Sequence, residues 1–386
     1  MKTNEIRLGE QCVVTSSKRF HLSERITQGV PFYCSKEIIK KFNGEDVTEC
    51  DYISEDLYKK VSNEFGVPKE NDLLITTRGT IGIPYLYKRT DRFYFADGNL
   101  TWIKDFDSNL YSKFLYYWFQ SYEGRKKFEA LAKGTAQKAV PISGIKTLEI
   151  ELPSLKSQKR IADILSAYDD LIENNQKQIK LLEEAAQRLY KEWFVDLRFP
   201  GHENTKIVDG VPEGWQWCKV RDVADINSSA LPKNYKEDFI DYVDLGSVRC
   251  GHIETRARYN LNEAPGRAKR CAKDGDIIWG MVRPNLKAYA LVTNPKETDV
   301  FSTGFAVLSA KKVPYSYLYC AVTQEEFVGY LVNATNGAAY PAVKPVHFEV
   351  ADILKPDDKV LEQFHSVADS IYRKKEALEN QNHNLR

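Results

Sequence analysis

The stretch Asn71-Asp72-Leu73-Leu74-Ile75 returns as Gly275-Asp276-Ile277-Ile278-Trp279, roughly two hundred residues later in a chain of 386. The echo extends on both sides of it. Phe95-Ala96-Asp97-Gly98 is matched by Phe301-Ser302-Thr303-Gly304, while Gly134-Thr135-Ala136, Ala139-Val140 and Leu152-Pro153 recur as Gly337-Ala338-Ala339, Ala342-Val343 and Lys355-Pro356. Solenoid units are several-fold shorter, so a period of this length reads as two copies of one whole domain. Within each copy, the apolar runs Asp72 to Thr76, Tyr85 to Tyr87, Asp276 to Trp279 and Ala288 to Val292 are broken by Gly and Pro turns and read as strands. Tyr111 to Leu131 and Tyr315 to Val332 read as helical, with aromatics that build core. The expected fold class is therefore α+β, with two pseudo-repeated mixed α/β domains.

Between the copies, residues 158–195 contain no Gly or Pro. Ile161, Leu165, Tyr168, Ile172, Asn175, Ile179, Leu182, Ala186, Leu189 and Trp193 alternate in steps of four and three, a heptad seam that predicts a long helix packed on another helix in coiled-coil fashion. Ser154 or Ser157 supplies the N-cap and Pro200-Gly201 the stop. At about 1.5 Å per residue, roughly 38 residues make a rod of about 57 Å. Asn175 at a seam position either fixes register as a buried amide or is a solvated interruption. The same spacing returns after the second copy in Phe364, Ala368, Ile371, Lys375, Leu378, Asn382 and Leu385, so the two helices are expected to lie antiparallel. The domain organisation read from this is 1–153, first globular domain; 154–198, first helix; 199–355, second globular domain; and 356–386, a shorter second helix.

Composition excludes more than it names. With 42% apolar and 28% charged residues the chain is ordinary soluble protein, neither disordered nor collagenous. No apolar run reaches the length of a membrane span and the first residues lack a signal-like core, which predicts a cytosolic protein. Seven scattered cysteines without a Cys-x-x-Cys pair point to reduced, mostly buried thiols. A net charge of +1 requires any nucleic-acid binder to distribute its charge unevenly. Arg249 to Arg270 holds six basic residues (Arg249, Arg256, Arg258, Arg267, Lys269, Arg270) against Glu254 and Glu263. Glu123 to Lys146 holds six more (Arg125, Lys126, Lys127, Lys133, Lys138, Lys146) against Glu123 and Glu129. One cluster in each copy favours a repeated anionic partner over a merely solvated face.

The loops carry the candidate contacts. Thr77, Arg78, Gly79 and Thr80 follow a strand and join a cation to a glycine, which lets backbone approach a partner closely. The matching loop carries Arg283, Asn285 and Lys287. A second loop offers Lys133, Thr135, Gln137 and Lys138, matched by Asn336, Tyr340 and, downstream, Lys344. Arg, Lys, Gln and Asn can form bidentate bonds with base edges or reach phosphates. Asp238, Asp241, Asp244 and Asp357-Asp358 read as capping or surface residues, and no metal site is expected.

Several motifs then fall into one order: Arg-Gly-Thr-Ile-Gly at 78–82, Gly-Thr-Ala-Gln-Lys at 134–138, Leu-Pro-Ser-Leu-Lys-Ser-Gln-Lys-Arg-Ile-Ala at 152–162, Trp-Phe-Val-Asp-Leu-Arg-Phe-Pro-Gly at 193–201, Val-Pro-Glu-Gly-Trp at 211–215 and Gly-Asp-Ile-Ile at 275–278. In wording, order and duplication the chain resembles the specificity subunit of type I DNA restriction-modification systems. The resemblance implies two target recognition domains that each read half of a bipartite site in double-stranded DNA. It also implies helical regions that set the spacer and dock two modification (methyltransferase) subunits, and restriction (ATP-dependent translocase and nuclease) subunits in the full complex. No catalytic residue, metal or cofactor is expected of this chain. Consistent with that division of labour, the sequence holds no Asn/Asp-Pro-Pro-Tyr/Phe motif, no glycine-rich S-adenosylmethionine loop and no phosphate loop. The final helix departs from the pattern by ending before the closing segment such subunits commonly have. Gly-Ala-Ala-Tyr-Pro at 337–341 also lacks the Gln-Lys of the first copy, which implies that the two domains read different bases. Two rival readings remain: a duplicated-domain adaptor that grips polypeptides across a coiled-coil spacer, and a self-contained DNA methyltransferase or nuclease.

Overall fold

The computed structural model describes residues 4–134, 138–335 and 341–385. Two compact units divide the chain, Met1–Glu173 and Asn174–Arg386.

The strands of the first unit are β1 (Asn4–Arg7), β2 (Val13–Thr15), β3 (Val30–Tyr33), β4 (Asp51–Ile53), β5 (Leu73–Thr76), β6 (Pro84–Leu86), β7 (Tyr94–Phe95), β8 (Leu100–Lys104) and β9 (Glu149–Leu152). Its helices are α1 (Leu8–Gln11), α2 (Ser35–Phe42), α3 (Glu55–Glu64), α4 (Ser112–Gln120), α5 (Tyr122–Ala130), α6 (Ile142–Lys146) and the start of α7 (Leu155–Tyr190). An antiparallel sheet runs β2–β8–β5–β6; a smaller one runs β4–β3–β7 with β3 and β7 parallel; β1 pairs with β9. Side chains alternate across β5, so Leu73 and Ile75 enter one core with α4, α5 and α6, while Leu74 enters another with Tyr33, Phe95 and Trp102. A strand buried on both faces needs the continuous apolar run that the sequence shows there.

The second unit holds the end of α7, a single π-helical turn over Lys191–Val195, and strands β10 (Ile207–Val208), β11 (Val211–Pro212), β12 (Gln216–Lys219), β13 (Ala224–Ile226), β14 (Phe239–Val243), β15 (Val248–Arg249), β16 (His252–Ile253), β17 (Ala257–Asn260), β18 (Ala268–Arg270), β19 (Ile277–Gly280), β20 (Tyr289–Leu291), β21 (Asp299–Ser302), β22 (Phe305–Ala310) and β23 (Asp352–Lys355). Its remaining helices are α8 (Val220–Val223), α9 (Tyr315–Val322), α10 (Glu325–Asn333), α11 (Pro345–Glu349) and α12 (Asp358–Leu385). The order β13–β22–β19–β20 repeats β2–β8–β5–β6, β17–β14–β21 repeats β4–β3–β7 with the same parallel pair, and β12–β23 repeats β1–β9. The division of side chains repeats too: Ile277 and Trp279 face the helical core, Ile278 the outer one. The copies diverge in the outer lobe, where α2 and α3 of the first unit give way to the β15–β16 hairpin and the extra strand β18.

The repeated motif that opens β5 and β19 has a local cause. Asn71 and Gly275 sit at φ +70° and +83°, in the left-handed region that Asn and Gly tolerate best. The next residue turns its carboxylate back, and Asp72 Oδ2 accepts from Lys69 N at 2.9 Å as Asp276 Oδ2 does from Lys273 N at 2.9 Å. Asp72 also accepts from the Trp102 indole at 2.9 Å. Burial pushes both carboxyls above the usual carboxylate range, against these hydrogen bonds.

Two expectations are corrected by the structure. Each long helical segment is a pair of short helices, α4–α5 and α9–α10, because Ser121 breaks the first by capping Gly124 N at 3.0 Å and Gln324 interrupts the second. A Cβ on Gly124 would lie 1.9 Å from Trp118 O, so this break depends on glycine. The thiols are also less hidden than expected: Cys12 and Cys320 are buried, Cys34, Cys50, Cys218 and Cys271 are half-buried, and Cys250 is exposed.

Ser154 caps α7 through Ser157 N at 3.3 Å. Gln158, buried one turn on, ties the helix to the first unit by accepting from Tyr111 N at 2.9 Å and donating to Asn109 O at 2.8 Å. The helical run ends at Val195, before Pro200-Gly201, because Arg198 N returns to Glu192 O at 2.8 Å and Leu197 takes φ +58°. In the second unit α7 and α12 are antiparallel: Asn175 Nδ2 donates to Asn382 Oδ1 at 2.9 Å, Glu183 meets Lys375 at 2.7 Å, and Tyr190 stacks near Phe364 at 6.3 Å. Asn175 is thus the buried, register-fixing amide. The seam is not buried along its whole length. Ile161, Leu165 and Tyr168 are exposed, whereas Asn175, Ile179 and Ala186 are buried where α12 faces them.

A cluster of charges binds the β15–β16 hairpin to these helices. His252 Nδ1 lies 2.7 Å from Glu379 and its Nε2 lies 3.4 Å from Glu183, while Lys375 Nζ donates to Gly251 O at 2.8 Å. Burial opposes the charged imidazole, yet the hydrogen bonds to Glu183 and Glu379 outweigh burial and the repulsion of Lys375, raising it from 6.5 to about 9. A raised folded value means that the imidazolium stabilises fully below about pH 6.5 and that this contribution fades as pH climbs through 9. With more than a third of the ring exposed, screening leaves it worth on the order of 1 kcal/mol. Asp241 has the opposite sign: its hydrogen bonds to Arg258 and Thr298 hold its carboxyl below the usual range, so its contribution is lost as pH falls through that depressed value. Denaturation as a function of pH is expected to show His252→Gln flattening the alkaline side alone; an unchanged alkaline limb would remove His252 from this role.

Candidate nucleic-acid interface

In the first unit, the two candidate loops meet. Thr77 N bonds Asn99 O at 2.9 Å and Val140 N bonds Thr77 O at 2.9 Å, while Arg78 and Lys133 both bridge to Ala139. Thr77 is buried beneath a rim of exposed Arg78, Gly79, Thr80, Lys133 and Lys138. Gly79, at φ +74°, has open space where a Cβ would be. Gly82 closes the turn through Thr76 O at 2.8 Å, which the strand end supplies. Thr135 and Gln137 lie outside the described residues.

Sequence reasoning missed the other wall of this site. The loop after β2 and the start of β8 bring Ser16 and Thr101 against Thr77, Arg78 and Lys133, enclosing a cleft of about 320 Å³. Ser16 stands some sixty residues before Arg78 and shares no motif with it, so only the β2–β8–β5 pairing reveals the contact.

The second unit builds the same frame with different chemistry. Met281 N bonds Gly304 O at 2.9 Å, Val343 N bonds Met281 O at 2.8 Å, and Val282 bridges to Ala342, so Val282 takes the place of Arg78. Arg283 and Lys287 flank a 3-10 turn, Pro284–Leu286, at φ +50° and +54°. Left-handed backbone at two cationic residues costs on the order of 1–3 kcal/mol each. Arg283 and Asn285 are exposed; Lys287 is half-buried and ion-paired with Glu325. Lys344 is exposed at the N-cap of α11, and Asn336 and Tyr340 lie outside the described residues.

The basic run of the second unit is more neutral than its sequence suggests. Arg258 makes a bidentate pair with Asp241 at 2.9 and 3.1 Å, and Arg256 sits 3.3 Å from Asp299; both carboxylates come from neighbouring strands outside the run. Arg267 and Lys269 remain exposed. In the first unit Lys127 is held by Glu123 at 2.8 Å.

Residues 3–184 match the profile of the type I restriction modification DNA specificity domain. The chain is 26% identical over 352 residues to the type I restriction enzyme MjaVIII specificity subunit of Methanocaldococcus jannaschii, spanning 84% of this chain and 80% of that one. Its N-terminal half thus resembles the type I DNA specificity domain, and most of its length resembles type I specificity subunits. The MjaIX specificity subunit of the same organism is 26% identical over 274 residues, 68% of this chain. The chain spans 63% of that relative's length, and 45% of a Haemophilus influenzae relative that is 28% identical over 187 residues. The crystal structure of a type I restriction-modification S subunit from M. genitalium matches with a TM-score of 0.59 at 16% identity, covering 100% of this chain and 95% of that one, so the two share a fold. Among the described residues, no group of three or more His, Cys, Asp and Glu could hold a metal ion, and no helix is long and apolar enough to cross a membrane.

Proposed function

We propose that this chain is the sequence-reading subunit of a type I restriction-modification complex, binding double-stranded DNA through two recognition domains, residues 1–153 and 199–355. Each domain reads one half of a bipartite site, and the exposed loop residues of each unit supply the contacts. The observation that carries this reading is the repetition of one strand order around loops of different chemistry, with exposed Gly79 and Thr80 in one unit and exposed Arg283 and Asn285 in the other. Two readers with the same frame and different loops suit an asymmetric target. The helical segments, residues 154–198 and 356–386, set the unread spacer and dock the modification subunits; methylation and cleavage belong to partner subunits.

Inserting four residues after Ile172 adds about 6 Å of helix. The expected result in the assembled complex is a changed spacer between unchanged half-sites, read by mapping methylated positions; an unchanged spacer would remove α7 as its ruler. The adaptor reading is set aside by a binding curve: a DNA reader loses affinity for duplex steeply with salt, and a polypeptide adaptor does not.

A further inference from the structure

The cleft of the first unit has the chemistry of an anion site. Its polar lining is Ser16, Thr77, Thr101, Arg78 and Lys133, three hydroxyls and two cations with no carboxylate among the residues that line it. The Ser16 hydroxyl is buried and has no hydrogen-bond partner among the described residues. Buried polar atoms are rarely left unpaired, so a donor held this way beside two cations is placed for an oxygen acceptor that arrives with a ligand. Gly98, on the rim at φ +70°, leaves open space where a side chain would stand.

The second unit supplies a comparison within the same chain. By strand register Thr77, Arg78 and Thr101 correspond to Met281, Val282 and Ala306. Ser228, which stands where Ser16 does, has its hydroxyl 3.4 Å from that of Ser309. Both copies keep the frame, but Val282 stands where Arg78 does, and Ser228 has the Ser309 hydroxyl beside it where Ser16 has no partner among the described residues.

We propose that this cleft binds a phosphate group of the DNA backbone, giving the first recognition domain a sequence-independent anchor that the second lacks. The inference rests on the DNA-reading function proposed above and adds to it that the two domains grip unequally. Arg78 and Lys133 would neutralise the phosphate, and the Ser16 hydroxyl would donate to one of its oxygens.

The test uses the assembled complex with its modification subunits and duplexes in which single phosphates are replaced by neutral methylphosphonates. In the unaltered protein, one replaced phosphate beside the first half-site is expected to weaken binding about tenfold, the scale of one charge-assisted contact. In Arg78→Ala/Lys133→Ala the same replacement is expected to cost nothing further, with the slope of log affinity against log salt reduced by about 1. Ser16→Ala should weaken binding in the same sequence-independent way while keeping the slope. Loss of affinity confined to one base pair in Arg78→Ala would overturn the proposal by making Arg78 a base reader, as would full additivity of replacement and substitution at every position. Free inorganic phosphate that broadens in ³¹P NMR on binding, loses that broadening in the double variant, and accompanies a flat methylphosphonate scan would also overturn it. Absence of any salt-dependent DNA binding would instead strike the function itself, a result distinct from all of these.

Discussion

Replacing Phe364 by alanine is expected to destabilise the second unit by about 3–5 kcal/mol. The ring is fully buried on α12 and is met by aromatic residues from three directions: Phe194 at 5.0 Å, Trp193 at 5.9 Å, Tyr190 at 6.3 Å and Tyr317 at 6.4 Å. These belong to the end of α7, its π-turn and α9, so one side chain fastens three helical segments into the core beneath β19 and β22. Rigid aromatic neighbours cannot collapse into the space a phenyl leaves, which places the cost in the upper part of the range for core truncation. Urea denaturation checks the figure, with Phe65→Ala as a comparison, since that ring is about half exposed and its removal should cost within about 0.5 kcal/mol. Equal costs for the two substitutions would mean that the cluster does not anchor α12.

Lys375→Met is expected to cost about 3 kcal/mol by a different route. Lys375 is only 7% exposed, with its ammonium 2.7 Å from Glu183 and donating to Gly251 O. Methionine fills the volume but leaves Glu183 with His252 as its neighbouring charge and removes the donor from a carbonyl at a turn where Gly251 takes φ +92°. Breaking one side of a buried ion pair typically costs about 3–5 kcal/mol because the remaining charge stays desolvated. The lower end applies here because His252 remains charged near neutrality, as its raised value of about 9 requires. A double variant with Glu183→Gln should recover part of the loss; a strictly additive double variant would show that the two groups are not coupled.

How far the sequence could be read depended on what each residue type needs locally. The copies were legible at Asn71-Asp72 and Gly275-Asp276 because a left-handed residue followed by a capping carboxylate is a local requirement that survives divergence of everything around it. The strands were legible because alternate side chains of β5 and β19 enter two cores, which demands an unbroken apolar run. The helical seam was legible as a spacing, though not in how much of it would be covered: Leu165 and Ala186 occupy equivalent seam positions in the sequence, yet one is exposed and the other buried. Segments rich in aromatics concealed their breaks, since a capping Ser121 and an extended Gln324 interrupt the helices in ways that composition alone does not announce.

The candidate site was half legible. Arg78 and Lys133 stand out as cations beside glycines, and both bridge to the same loop residue, Ala139. Ser16 and Thr101 do not stand out, because a hydroxyl acquires meaning only when the sheet brings it against charges distant in sequence. The basic run from Arg249 to Arg270 misled in the opposite direction. Part of its charge is offset by Asp241 and Asp299 on strands that a window along the sequence does not include.

The central claim is that each unit reads its own half of one DNA site. It is tested most directly by exchanging residues 4–152 for those of a family member of different specificity and mapping the methylated sequence in cells that carry the complete system. One half of the methylated motif should change while the other half stays as it was. A motif altered in both halves, or in neither while methylation persists, would contradict the claim.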